Sequence, residues 1–141
     1  GSDERQYCAP GVDLPLVSIM RTKYGDYPEY HTSDDDLTVI SPEGLLGGYS
    51  IVRKCFEALE NNLVFEASLL CEPQLGKRGL ISNIGYGAEK MEENRKIISH
   101  LLAYCDGKTS LLDVADTLEL PIWDLITPLQ VLMEEGLVFK K

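Results

Sequence analysis

From Glu89 onward, apolar residues recur at three- and four-residue steps, and only turn residues break the pattern. This constrains the fold more than any other feature. Glu89 to Tyr104 reads as a helix with Met91, Ile97, Ile98, Leu101 and Leu102 inward, and His100 among them as a structural histidine. Asp106-Gly107-Lys108 makes a turn. Thr109 or Ser110 then caps a second helix carrying Leu111, Leu112, Val114, Ala115 and Leu118. Leu120-Pro121 opens a third, with Ile122, Leu125, Ile126, Leu129, Leu132 and Met133 on one face. Pro128 falls inside it, which predicts a kink or a division. Gly136 stops it, and Leu137-Val138-Phe139 reads as a closing strand. Three such faces can close on one another, so 89–141 is expected to fold as a helical unit of its own.

Upstream the pattern differs. Residues 1–14 are polar and rich in turn residues, and Leu14-Pro15-Leu16-Val17-Ser18-Ile19-Met20 suits a short buried strand. Lys23-Tyr24-Gly25-Asp26-Tyr27-Pro28 supplies the breakers of a loop. Ser41-Pro42-Glu43 is a helix start: a hydroxyl cap, proline at the first helical position and an acid in the first turn. Leu45, Tyr49, Val52, Phe56 and Leu59 then give one apolar face. Gly44, Gly47 and Gly48 each weaken that helix by roughly 1 kcal/mol relative to alanine, so it needs a sheet to lie on. Asn62 to Ala67 reads as a short strand or extended exit, and Cys71 to Leu80 as an ordered linker. The domain boundary is expected between Leu80 and Ala88, giving domains 1–80 and 81–141.

Composition removes several classes of function. A net charge of −10 disfavours a nucleic-acid surface, which needs clustered Lys and Arg. No apolar run approaches the roughly 18–20 residues that span a bilayer, so no membrane role is expected. Cys8, Cys55, Cys71 and Cys105 lack metal-knuckle spacing and read as reduced thiols of a cytoplasmic protein.

The chemistry concentrates in Glu29-Tyr30-His31-Thr32-Ser33-Asp34-Asp35-Asp36. An imidazole can ligate a metal through one nitrogen while a neighbouring oxygen fixes the other. A phenol can donate to a developing oxyanion without being ionised at neutral pH, a role open to Tyr30 beside that of a packed loop aromatic. The three aspartates lack the glycine turn and distal glutamate of a calcium loop and read as a solvated acidic turn. Lys77-Arg78 between Gly76 and Gly79 reads as a charged surface loop, with an anion clamp as the sharper alternative.

Ser2-Asp3 followed by Tyr7, Gly11-Val12 followed by Pro15, and Tyr30-His31-Thr32 followed by Asp35 together form a pattern. It resembles the last part of a cocatalytic zinc exopeptidase domain, within the aminopeptidase-like family that ends in a winged helix. The Asp-Gly turn, the Ser-Leu helix start and the terminal Glu-Glu-Gly-Leu likewise resemble a minimal winged helix over 89–141. The resemblance implies an α/β fold: the C-terminal segment of a zinc-exopeptidase (phosphorylase/hydrolase-like) domain, then a small winged-helix domain. It implies His31 as a zinc ligand, Asp35 as support for its loop, and Asp3 near the metal centre, where a turn-capping role serves equally well. The family's remaining ligands and its general base lie upstream, so the fragment is expected to be inactive alone. Its expected partners are the missing N-terminal part of the peptidase domain or a partner subunit, a peptide-like substrate, and a second copy in a homo-oligomer. The third helix has no Lys or Arg and carries Asp124, Glu134 and Glu135, which favours assembly over groove reading. Trp123 beside Asp124 is expected to be the most exposed apolar group there. The rival reading is a metal-free interaction module.

Overall fold

The computed structural model describes residues 2–80 and 88–141. The chain divides into two compact units, Gly1–Cys55 and Phe56–Lys141.

The first unit opens with α1, Ser2–Tyr7, where turns alone are expected. Its end is tied by the Cys8 amide donating to Glu4 O at 2.8 Å and the Leu14 amide to Tyr7 O at 2.9 Å. The apolar run after it is not a buried strand. Leu14, Leu16, Val17, Ile19 and Met20 are all exposed, Val17 to 78%, and none pairs in a sheet. A strand is held by a neighbour's ladder, and among the described residues this unit offers none.

Helix α2, Pro42–Asn61, starts where expected. Ser41 Oγ accepts from the Gly44 amide at 3.0 Å, satisfying one of the donors a helix start leaves open. Its apolar stripe is uncovered: Leu45, Tyr49, Phe56 and Leu59 are each more than 60% exposed.

The second unit contains the core. Strand β1, Val64–Ala67, is the middle of a three-stranded sheet with β2, Asp106–Ser110, and β3, Val138–Lys140, on its flanks, both antiparallel. Val64 pairs with Ser110 and Glu66 with Asp106 across a register irregularity, while Phe65, Glu66 and Ala67 face Lys140, Phe139 and Val138. Three helices complete the unit: α3, Ala88–Tyr104; α4, Leu111–Thr117; and α5, Ile122–Glu134. Leu101, Leu125, Leu132 and Leu137 are shut off from solvent, and Phe65 and Leu75 join them. Burying such side chains contributes roughly 1.5–3 kcal/mol each.

Several expectations change here. The boundary expected between Leu80 and Ala88 falls on 81–87, outside the described residues, as does the Met91 side chain. Among the described residues the chain divides at Cys55/Phe56, because β1 and Leu75 belong to the C-terminal core. A unit cut at residue 89 would therefore lack its central strand. Within the expected ordered linker, Leu75–Arg78 is a 3-10 turn closed by Gly79 at φ 72°, and Leu75 reaches the core. Asp106-Gly107-Lys108 enters strand β2; the Asp106 carboxylate accepts the Lys108 and Thr109 amides, both at 2.8 Å. Ser110, not Thr109, caps α4: its Oγ accepts from the Asp113 amide at 3.2 Å and donates to Asp113 Oδ2 at 2.6 Å. Asn62 adds a distant cap, its Oδ1 accepting the Leu112 amide at 3.0 Å. Pro128 does not divide α5, which runs through it. His100 is exposed, on the solvent side of α3. Trp123, 37% exposed, is surpassed by Leu112, Met133 and Phe139.

Candidate functional site

The loop from Tyr24 to Thr38 is built by short-range bonds. Gly25 takes φ 87°, a left-handed turn that brings Tyr24 and Tyr27 back toward Tyr30. The Tyr24 ring is 5.9 Å from that of Tyr30 and tilted; the Tyr27 ring is 5.7 Å away and edge-on, an arrangement the aromatic quadrupole favours. Tyr30, half-buried, is thus the hub, and His31 stacks on it at 4.2 Å and 18°. His31 also has φ 61°, left-handed backbone rarely adopted outside glycine. Thr32 stabilises the turn: its Oγ1 donates to Glu29 O at 2.7 Å and accepts from the Asp34 amide at 3.2 Å.

The carboxylates separate into roles. Asp36 accepts from the Thr38 hydroxyl at 2.7 Å and the Thr38 amide at 2.8 Å, bonds that hold its carboxyl below the usual value. Desolvation of the Tyr27 phenol raises its pKa, and the charge of Asp35 pushes the same way, which places the Asp35 carboxylate within electrical reach of the tyrosine cluster. Asp35 also closes the turn, its amide donating to Thr32 O at 3.3 Å. Asp3 is exposed in the first turn of α1, its carboxylate 3.5 Å from Ser2 Oγ. Such an acid is favoured by the partial positive charge at a helix start, which accounts for Asp3 locally.

The structure therefore stacks Tyr30 and His31 and keeps Asp35 in the same turn through its amide bond to Thr32 O. Among the described residues it does not bring in further ligands. A catalytic zinc takes about three protein ligands plus water. Among the described residues no group of three His, Cys, Asp or Glu side chains converges to hold an ion. His31 is a single exposed imidazole, and the described residues do not by themselves fit a zinc centre.

Two features escaped the sequence reading. Tyr24 and Tyr27 belong to the cluster, and their three-residue steps to Tyr30 around a glycine were the available signal. Arg78, read as part of a charged surface loop with an anion clamp as the alternative, lies 4.0 Å from Glu135. Among the described residues no helix is long and apolar enough to cross a membrane.

Residues 1–62 match a family described as a domain of unknown function (DUF4910), and residues 63–140 match the winged helix-turn-helix family. A Clostridium acetobutylicum protein named "Putative polysaccharide biosynthesis protein with aminopeptidase-like domain" is 41% identical over 116 residues, 82% of this chain and 26% of that protein. The crystal structure of a "putative peptidase" from the same species superposes on 99% of this chain with a TM-score of 0.83 and 31% identity, over 30% of its own length. The chain thus spans under a third of either relative. The second family match covers more than half of the 141 residues, and on it the chain belongs to the winged helix-turn-helix family.

Proposed function

We propose that this chain is the C-terminal portion of a zinc-dependent, aminopeptidase-like hydrolase acting on a peptide-like amide. The observation that carries the reading is the superposition of 99% of the chain on 30% of a protein described as a peptidase, at a TM-score of 0.83. In this reading His31 is one metal ligand, and the others come from the part of the protein that this chain does not span. Asp35 supports the loop, Asp3 lies near the centre, and Tyr30 donates toward the oxyanion of the acyl intermediate. The tyrosine cluster suits that role because it fixes Tyr30 by packing. The exposed stripe of α2 and the apolar run 14–20 suit burial against the missing part of the domain. The four free cysteines suit a reducing, cytoplasmic setting.

The winged helix is an assembly module in this reading, in trans or as a homo-oligomer, and not a reader of DNA. Residues 89–141 carry ten acids against six bases, and α5 has no Lys or Arg to meet phosphates.

The test uses the full open reading frame and the 141-residue chain side by side. His31→Ala in the longer protein is expected to lower its zinc content by elemental analysis and abolish hydrolysis of aminoacyl anilides, with the thermal transition retained. The 141-residue chain alone is expected not to turn over, with or without zinc. Zinc-dependent turnover by that chain, or unchanged metal stoichiometry in His31→Ala, sinks the proposal. The second reading, a metal-free interaction module, is favoured by the lack of a converging ligand group among the described residues. It prevails if the open reading frame contributes no further ligands.

A further inference from the structure

We draw no further inference here: the strongest candidate, the cavity of about 370 Å³ lined by residues 69–73 and by Ser99, Leu102 and Ala103 of α3, joins an apolar wall to the single exposed thiol of Cys71, and nothing in the structure shows what fills it.

Discussion

The imidazole of His31 lies face to face with the phenol ring of Tyr30, centroids 4.2 Å apart and planes 18° from parallel, on a backbone turned to φ 61°. The two facts are coupled: left-handed backbone at His31 reverses the chain within Glu29–Thr32, closed by the Thr32 amide on Glu29 O at 3.1 Å, and sets the imidazole against the Tyr30 ring. Asparagine tolerates such backbone, whereas a β-branched residue is strained by it. His31→Asn is expected to leave the loop's amide exchange nearly as it is. His31→Val is expected to speed exchange at Thr32 and Asp34, read by hydrogen-exchange NMR; equal behaviour of the two variants refutes the coupling.

Gly107 has φ 75°, and a Cβ there would lie 2.9 Å from Glu66 Oε2 and 3.0 Å from Lys141 Nζ. Those side-chain ends can swing away, although they form a 3.4 Å ion pair, but the backbone cannot change without breaking β2. Gly107→Ala is expected to destabilise the protein by about 1–3 kcal/mol in urea unfolding. A change near zero would mean the strand start tolerates another conformation.

The Asp106 carboxyl is held below its ordinary value, first by the Thr109 amide and then by the Lys108 amide. A group depressed in the folded state stabilises it fully above the unfolded pKa, about 3.9, and that contribution is lost as pH falls through the folded value. Asp106→Asn is therefore expected to be less stable than the parent at pH 7, with the difference shrinking below about pH 4. Urea midpoints across pH 2–7 check it, and a difference independent of pH would assign the effect to something other than charge.

Burial, reinforced by the neighbouring Asp106 charge, pushes the Cys105 thiol up to about 11. Alkylation needs the thiolate and access, and Cys105 has neither at neutral pH. Iodoacetamide at pH 7.5 is expected to label exposed Cys8 and Cys71 in the native protein and to reach Cys105 only after denaturation, read by peptide mass mapping. Rapid native labelling of Cys105 would mean the α3–β2 junction opens.

What the sequence made legible follows from how local each signal is. Ser41 and Ser110 caps, the periodic faces of α3, α4 and α5, and the stop at Gly136 all depend on residues within about a turn of one another, and the structure has them. The place of β1 was not legible. Val64–Ala67 reads as a short strand or an extended exit, and only its partners, some 40 and 70 residues later, make it the sheet's centre. Leu14–Met20 failed for the opposite reason: its apolar content suggests burial, but the described residues supply nothing to cover it. At the site, the Tyr30-His31-Thr32 stretch was legible as a unit, while the tyrosine cluster depended on the reversal at Gly25.

The sheet's central strand is made before either neighbour. During synthesis, β1 leaves the ribosome with both edges open, gains β2 about 40 residues later, and gains β3 only when Val138–Lys140 emerges. Its pairing is non-local on both sides, the kind of contact whose loop-closure entropy slows folding. Until β3 emerges the nascent unit holds Phe65 on a strand with an open edge, the kind of transient surface that makes folding intermediates prone to aggregate. Closing the sheet waits on Val138–Lys140, so a ribosome that stalls before Val138 leaves β1 without one partner and the core without a buried side chain.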